Sequence, residues 1–408
     1  MEAAGSLQVV VLLFGIILVL NIFLRMGSKI LGIPSLIGFM ILGFLLRVGD
    51  GQFRILSSEV FQIFKFLANI GLITLLFRVG LESNLKGLLK QARHASLIWT
   101  GDILFSGFLG FVVSYWLLGL ASIPSLFVAV ALTATSVSVS VSVWQEEKAI
   151  QSPVGELLID VAEMDDISGI ILMTLLLSAV VSLKGSAEAV LGIELVKNLG
   201  LIVLKLLVFG ALCVGFSLFV EKRLMGFFSQ KSHSPEPMLV VAGFGFIIAG
   251  IGVLLGFSLA IGAFFAGLVF SRDPKSVKWD ASFSALYDIF APFFFIGIGL
   301  GINPKTLTSA LGLGGILFVL AVLGKLIGDG TLSLAVTDTI SAALISVSMI
   351  PRAEIAMVIM QKGHDLGPWA VPDSVYSGMV LVSLATCLAA PVVLRILLKR
   401  WPQKTTES

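Results

Sequence analysis

The chain has 408 residues, of which 57% are hydrophobic and 13% are charged, and its formal net charge is +2. The charged share is about half that of a soluble domain, so the composition excludes an ordinary water-soluble protein and predicts one that lies in a lipid bilayer. The small net charge and the scattered basic residues argue against a nucleic-acid partner. The three histidines lie in different predicted loops and the two cysteines in apolar segments, so we expect neither a zinc enzyme nor a cofactor site.

Apolar segments recur from one end of the sequence to the other. A straight transmembrane helix needs about 20 predominantly apolar residues, and most of these segments approach that length. We therefore predict an all-α membrane protein with about 13 transmembrane helices, forming a single transmembrane unit over residues 1–408. The predicted spans are residues 8–25, 33–47, 60–80, 96–119, 123–144, 155–182, 196–220, 238–255, 257–271, 283–302, 309–328, 338–361 and 376–398.

Lysine and arginine residues predict the orientation of the chain, because cytoplasmic loops carry an excess of them. With the C-terminus inside, the inner loops hold sixteen of these residues and the outer loops and span ends hold seven. We therefore expect a multi-pass protein of the cell (inner) membrane, with its N-terminus outside and its C-terminus in the cytoplasm. The first residues lack a basic segment, so the first apolar stretch is expected to be a span and not a cleaved signal peptide.

Two pairs of segments indicate an internal repeat. Residues 31–43 align with 255–267 without a gap and share three glycines, and residues 80–84 align in step with 299–303. The copies are seven spans apart, so they have opposite orientation, as in secondary transporters. We predict repeat one over about 8–182, a linker helix over about 196–220 and repeat two over about 238–398; chance similarity among 42 glycines is the alternative.

The fifth span contains hydroxyl side chains where a helix break is expected. Thr133, Thr135 and Ser136 precede a serine–valine alternation over residues 137–143. Alternation normally indicates a strand, but a lone strand in lipid would leave unpaired backbone groups, so this segment must be helical or buried in protein.

The twelfth span contains Pro351, which removes a helix hydrogen bond in mid-segment. Arg352 and Glu354 lie beside this break and are expected to form an ion pair. Half-helix ends that meet at the membrane midplane would offer carbonyls and hydroxyls to a cation. The alternative is a kink that serves packing alone.

The adjacent carboxylates of Asp165 and Asp166 lie within an apolar span, with Glu163 on the same helix face as Asp166. One ionisable side chain at the bilayer centre costs roughly 2.5–3.5 kcal/mol, so the pair predicts an ion or proton site. The alternative is a pair that is neutralised by a basic residue and has no transport role. Lys325, another ionisable residue in a span, is a candidate counter-charge, although Asp329 one turn later could pair with it instead.

A group of short motifs runs through the sequence at residues 31–34, 133–136, 165–166, 262–267, 293–297, Lys325 and 351–354. Together they resemble the second monovalent cation/proton antiporter family, which includes bacterial sodium/proton antiporters and Kef-type potassium-efflux transporters. The resemblance implies a homodimer in which a core of two crossed, discontinuous helices moves in an elevator-like cycle. It further implies that Asp166 is the main cation ligand, that Asp165 partners Lys325, and that exchange is electrogenic.

The sequence departs from the family pattern at a few positions. Arg78 and Glu163 stand where apolar residues are expected, and Ala353 replaces the usual glycine after the proline–arginine pair. The extra carboxylate of Glu163 could change ion preference or proton count. We also expect no soluble nucleotide-binding domain of the Kef type after the last span.

The chemistry of a buried carboxylate supports the same function. A carboxylate that binds Na⁺ must be deprotonated, so cation and proton compete for one site, and competition at an alternately exposed site is exchange. We therefore expect a non-enzymatic antiporter of Na⁺ or Li⁺ against protons. The alternatives are a K⁺/H⁺ antiporter and a sodium-coupled symporter of an organic anion. An intramembrane aspartyl protease is disfavoured because its two aspartates should lie on different helices and Leu326 breaks its Gly-x-Gly-Asp motif.

Overall fold

The computed structural model describes residues 2–31, 33–53, 57–82, 88–185, 191–221, 223, 237–271 and 276–403. These residues form helices and connecting turns, and no strand occurs among them. The parts of the predicted repeat at Gly32, Ser83 and Asn84 lie outside the described residues, as do several of the basic residues in the predicted inner loops.

The described elements follow the predicted spans. The α-helices are α1 (Glu2–Leu31), α2 (Ser35–Phe53), α3 (Ser58–Glu82), α4 (Leu88–Val112), α5 (Ser122–Thr133), α6 (Val137–Glu146), α7 (Pro153–Gly185), α8 (Leu191–Gly215), α9 (Pro237–Leu254), α10 (Leu259–Phe270), α11 (Ser276–Leu300), α12 (Leu307–Ser333), α13 (Thr339–Ser348), α14 (Glu354–Leu366) and α15 (Asp373–Arg400). Short π-helical turns extend α4 over Val113–Leu117 and α8 over Phe216–Val220, and a 3₁₀ turn at Pro304–Thr306 leads into α12.

Within the described residues, 7 helical segments are long and apolar enough to cross a membrane. One of them, Ser122–Glu146, contains both α5 and α6 and is interrupted between them. The predicted span 338–361 is likewise divided, into α13 and α14. Both interruptions lie where the sequence predicted them.

The chain forms two compact units. The first consists of Met1–Val19, Leu56–Leu85 and Thr174–Gly297. Inside it, α3 and α10 cross so closely that a Cβ on Gly80 would lie 2.1 Å from the carbonyl oxygen of Phe264. Only glycine permits that approach.

The first unit also accommodates Arg78, one of the departures from the family pattern. Its guanidinium carbon lies 4.7 Å from the centre of the Tyr287 ring. A guanidinium over an aromatic face is stabilised by the ring quadrupole. The charge on α3 therefore has an aromatic surface beside it.

The second unit consists of Leu20–Ile55, Lys86–Met173 and Ile298–Ser408. Its buried apolar core joins residues of α4, α6, α7, α13 and α15, and Trp144 is among its fully buried side chains. In this unit α2 and α11 meet at a second glycine crossing, where a Cβ on Gly299 would lie 2.1 Å from the carbonyl oxygen of Met40. All the candidate ion-site residues belong to this unit.

Candidate ion-binding site

The first interruption begins after Thr133, the last residue of α5. The next residue, Ala134, is extended, with φ −66° and ψ 136°, and α6 starts at Val137. A helix end leaves its last carbonyls without intrahelical partners. Here the Thr133 carbonyl accepts a hydrogen bond from Nζ of Lys325 at 2.9 Å.

The second interruption is the stretch 349–353 between α13 and α14. Pro351 supplies no N–H at this point, so the helix cannot continue through it. The backbone of Arg352 is held by α15: its N–H donates to Thr386 Oγ1 at 3.1 Å, and its carbonyl accepts from Cys387 Sγ at 3.4 Å. The break therefore has a defined backbone position.

The two interruptions are hydrogen-bonded to each other. The N–H of Ser136 donates to the Pro351 carbonyl at 2.8 Å. The Met349 carbonyl accepts from Thr135 Oγ1 at 3.2 Å and from Arg352 Nη1 at 2.9 Å. Non-helical backbone is tolerated at membrane depth only where protein or water satisfies its polar groups, and each break satisfies part of the other.

Glu354, the first residue of α14, accepts hydrogen bonds from hydroxyls across the break. Ser136 Oγ donates to one carboxylate oxygen, and Ser138 Oγ donates to the other at 3.1 Å. The ion pair expected between Arg352 and Glu354 does not form, since Arg352 Nη1 also donates to Thr135 Oγ1 at 3.3 Å. Arg352 lies in the non-helical stretch between α13 and α14, and its guanidinium and the Glu354 carboxylate each find a hydrogen-bond partner on the opposite break instead.

The serine–valine alternation forms a helix, which is one of the two arrangements that the sequence allowed. In α6, Ser140 Oγ donates to the Ser348 carbonyl at 2.6 Å, and Trp144 Nε1 donates to Ser348 Oγ at 2.9 Å. Ser140 and Trp144 are one helical turn apart and share a face. The alternation thus places hydroxyls against the last turn of α13 as well as against Glu354.

A close crossing of α4 and α12 brings two buried charges together. A Cβ on Gly101 would lie 2.7 Å from the carbonyl oxygen of Gly328, so the backbones approach at small residues. The neighbouring Asp102 and Lys325 form an ion pair in which both side chains are 0% exposed. Asp102 is the nearest counter-ion of this lysine.

Lys325 also faces both partners that the sequence suggested. Its Nζ lies 3.7 Å from Asp165 Oδ2 and 3.9 Å from Asp329 Oδ2. Asp165 and Asp329 are buried, so three carboxyl groups surround one ammonium group. The sequence left Asp165 and Asp329 as alternative partners of Lys325, and both lie within ionic distance of its Nζ. Asp102 and the Thr133 carbonyl lie closer to Nζ than either of them.

The α7 carboxylates differ in environment. Asp165 is 1% exposed, and neither of its oxygens accepts a hydrogen bond that meets normal geometry from the described residues. Asp166 and Glu163 are half-buried. Ser168 Oγ ties this turn of α7 to α4: it accepts a hydrogen bond from Trp99 Nε1 at 2.9 Å and donates one to the Asp165 backbone carbonyl at 2.9 Å.

Sequence reasoning missed the role of Asp102 and of Ser138. The available signal for Asp102 was an ionisable residue within a predicted span, which is costly and therefore functional by default. Its partner could not be inferred, because Lys325 lies 223 positions away in the sequence.

Interrupted helices with buried ionisable groups inside an apolar helical protein are typical of secondary transporters. The family model described as "Sodium/hydrogen exchanger, transmembrane" matches residues 11–400. The chain therefore belongs to this family of membrane-embedded monovalent cation/proton antiporters, as its motifs predicted. Members of the family are transporters.

Three named relatives each align with more than four fifths of the chain. The "High-affinity Na(+)/H(+) antiporter NhaS3" of Synechocystis is 27% identical over 83% of this chain and 72% of its own length. A "Na(+)/H(+) antiporter" of Enterococcus hirae is 28% identical over 95% of this chain and 98% of its own. The "Na(+)/H(+)-K(+) antiporter GerN" of Bacillus cereus is 27% identical over 97% and 96%.

The fold has a solved counterpart. The sodium proton antiporter MjNhaP1 of Methanocaldococcus jannaschii, solved at pH 8, superimposes with a TM-score of 0.69 at 16% identity and covers 97% of each chain. This likeness establishes the all-helical antiporter fold.

Proposed function

We propose that this protein is a secondary-active antiporter that exchanges Na⁺ or Li⁺ for protons. The observation that carries the proposal is the Asp165 carboxylate, which is 1% exposed and lies 3.7 Å from Lys325 in the unit that contains both interrupted helices. Asp166 is the main cation ligand and Asp165 the second. The printed names of the Synechocystis and Enterococcus hirae relatives support Na⁺ as the substrate.

Exchange follows from competition at these carboxylates. Na⁺ binds only the ionised form, so a bound cation displaces protons and a proton displaces the cation. When the site faces the two sides of the membrane in turn, each transfer of a cation in one direction is linked to proton transfer in the other.

Lys325 is the third proton-carrying group of the proposal. If its ammonium releases a proton as the cation binds, more than one proton moves for each cation and the exchange is electrogenic. Each net charge that crosses contributes roughly 2.3 kcal/mol per 100 mV of membrane potential. We expect Lys325→Gln to weaken the response of transport to membrane potential, measured as current across liposome-derived bilayers; unchanged currents would exclude this role.

The residues of the two breaks support the site. Thr133, Thr135 and Ser136 offer hydroxyls or carbonyls near α7, while Arg352 and Glu354 stabilise the opposite break through the hydrogen bonds described above. Half-helix ends of this kind bind ions in transporters through their carbonyls and dipoles. Glu163 adds a third carboxylate to the same region of α7 and is the residue we expect to tune ion preference.

Paired glycine crossings support an inverted repeat. The alignment of 31–43 with 255–267 pairs Met40 with Phe264, and the second alignment pairs Gly80 with Gly299. The Gly80 crossing contacts Phe264, and the Gly299 crossing contacts Met40, each with a prospective Cβ at 2.1 Å. The proposed repeat would exchange the two crossings, and this correspondence supports the repeat over chance similarity among glycines.

We infer a single transport unit built from these repeats, with residues 196–220 as the linker. The two discontinuous helices cross at their breaks and move together in an elevator-like cycle within a homodimer. The excess of basic residues in alternate loops supports an inner-membrane protein with its N-terminus outside and its C-terminus in the cytoplasm.

K⁺/H⁺ exchange is the second candidate. The Bacillus cereus relative is named as a Na⁺/H⁺-K⁺ antiporter, so a chain 27% identical to this one is associated with K⁺. The same carboxylate pair would bind either cation, and selectivity between Na⁺ and K⁺ depends on the size of the site and on how far the cation loses its hydration shell there.

The test is proton flux in proteoliposomes that contain an internal pH dye, challenged in turn with Na⁺, Li⁺ and K⁺. Wild type should alkalinise the lumen with Na⁺ or Li⁺, and Asp166→Asn should not. A response to K⁺ alone would select the second candidate. No response to any cation would refute proton exchange and favour a sodium-coupled symporter of an organic anion.

A further inference from the structure

The amino group of Lys325 is bound more tightly to α4 than to α7. Its Nζ is within hydrogen-bonding distance of Asp102 Oδ2 and of the Thr133 carbonyl, the latter at 2.9 Å. Asp165 Oδ2, at 3.7 Å, is within ionic range but beyond a normal hydrogen bond. In this arrangement the Lys325 ammonium group makes no hydrogen bond to the Asp165 carboxylate.

Asp102 is held as a dedicated counter-ion. Its second oxygen, Oδ1, accepts from Ser106 Oγ at 2.8 Å, one turn along the same helix. The close backbone approach at Gly101 and Gly328 fixes the separation of α4 and α12, the helices that carry Asp102 and Lys325. Both carboxylate oxygens are therefore satisfied inside the protein, which a buried charge requires.

We propose that Asp102 is a positioning residue that holds the Lys325 amino group away from Asp165 and so keeps Asp165 available to the transported cation beside Asp166. The inference rests on the proposed antiport function and deepens it: Asp102 sets the apparent affinity for the cation without touching it. The observation that decides for Asp102 over Asp329 is distance, since Asp329 Oδ2 is 3.9 Å from Nζ.

Removal of the Asp102 charge has a specific consequence. Without it, the nearest carboxylates to Lys325 are Asp165 and Asp329, and the amino group needs to move less than a bond length to hydrogen-bond to Asp165. The lysine then acts as an internal cation that competes with Na⁺ for the same carboxylate. Competition raises the cation concentration needed for half-maximal exchange and leaves the maximal rate largely intact.

The experiment measures KM for Na⁺ and maximal rate in proteoliposomes for four proteins: wild type, Asp102→Asn, Lys325→Met and the double variant. Asp102→Asn should raise KM by about tenfold or more with little loss of maximal rate, because the competing charge lies beside the ligand. In the double variant the competitor is gone, so its KM should equal that of Lys325→Met alone. Asp102→Glu, which keeps the charge, should recover most of the wild-type KM.

Ser96→Ala is the matched control on α4. The Ser96 hydroxyl donates to the Arg93 carbonyl of its own helix at 3.1 Å, so its removal should leave KM unchanged. If Asp102→Asn does not fold, Ser106→Ala takes its place, because that variant removes only the hydrogen bond to Asp102. It should raise KM for Na⁺ by about two- to fivefold, since hydrogen bonds to charged groups are stronger than those between neutral groups.

The outcomes separate this inference from the proposed function. If wild type exchanges Na⁺ for protons but both Asp102→Asn and Ser106→Ala keep its KM, the positioning role is refuted and antiport stands. A fall in maximal rate at constant KM would assign Asp102 to structure alone and also refute it. If wild type moves no protons with any cation, the proposed function itself fails.

Discussion

Glu354 and Ser136 join the two interrupted helices through a hydrogen bond between residues 218 positions apart in the chain. The serine hydroxyl donates to the carboxylate, and Ser138 donates to its other oxygen at 3.1 Å. The carboxylate also stands at the N-terminus of α14, where the helix dipole favours negative charge. One acidic side chain thus links the break in one helix to the start of the other.

We predict that this link is measurable as coupling between the two residues. Glu354→Gln keeps the shape but removes the charge, and Ser136→Ala removes one donor. Hydrogen bonds to charged groups contribute about 1.5–3 kcal/mol to stability. The double variant should therefore be destabilised by less than the sum of the two single variants, with an interaction energy on the order of 1 kcal/mol. Chemical or thermal unfolding in detergent measures it.

Ser142→Ala is the control for that cycle. The Ser142 hydroxyl donates to the Val139 carbonyl within α6 at 2.8 Å, so its removal should leave the effect of Glu354→Gln unchanged. Strict additivity of Ser136→Ala and Glu354→Gln would show that the two breaks are not energetically linked through this contact.

Asp338 caps the other half of the second interrupted helix and gives a pH-dependent prediction. Its carboxylate accepts from the N–H groups of Ser341 and Ile340 at 2.9 and 2.8 Å, and from the Ser341 hydroxyl at 2.8 Å. The hydrogen bonds from Ser341 and then Ile340 lower the pKa of Asp338 below its usual value. Its stabilising effect is therefore complete above the unfolded pKa and is lost as pH falls through the lower folded value.

Asp338→Ala should cost about 1 kcal/mol of stability at neutral pH, the usual effect of a lost N-cap. The difference from wild type should narrow as pH falls below about 4, near the pKa of an unfolded aspartate. Asp338→Asn still caps the helix but does not titrate, so this contribution should not change with pH. Thermal unfolding of the three proteins from pH 3 to 7 measures the effect, and a difference that stays constant over that range would contradict the assignment.

The two glycine crossings should be equally intolerant of a methyl group. A Cβ on Gly299 or on Gly80 would lie 2.1 Å from a backbone carbonyl oxygen, a contact that only movement of the helices can relieve. We expect Gly299→Ala and Gly80→Ala each to destabilise the protein by more than about 4 kcal/mol or to prevent folding. Gly312→Ala, where the Cβ would meet nothing within 4 Å, should be tolerated, as judged by monodispersity and thermal midpoint in detergent.

Sequence patterns predicted those features of this fold that depend on local chemistry. Long apolar stretches located the helices, and Pro351 located a break because proline cannot continue a helix. The other break, at Ala134, contains neither proline nor glycine, and the hydroxyl-rich stretch around it was the signal that predicted it. Asp165 was predicted because a charge in an apolar span is costly.

The pairings within the site could not be predicted, because they depend on how helices cross. Glycines at positions 101 and 328 bring α4 and α12 together, and that approach makes Asp102 the nearest partner of Lys325. The expected ion pair of Arg352 with Glu354 failed for a similar reason, since each side chain finds its partners across the break. Sequence proximity favoured a local pair, and tertiary packing replaced it.

The most direct test of the account is the cation affinity of the purified protein as a function of pH, measured by titration calorimetry in detergent with Na⁺, Li⁺ and K⁺. If cation and protons compete at Asp165 and Asp166, binding releases protons and the affinity falls by about tenfold for each unit of acidification when one proton is displaced. Asp166→Asn, which removes the main ligand, should abolish cation binding and with it the proton release. A cation affinity that is independent of pH, with no proton release, would contradict a shared site.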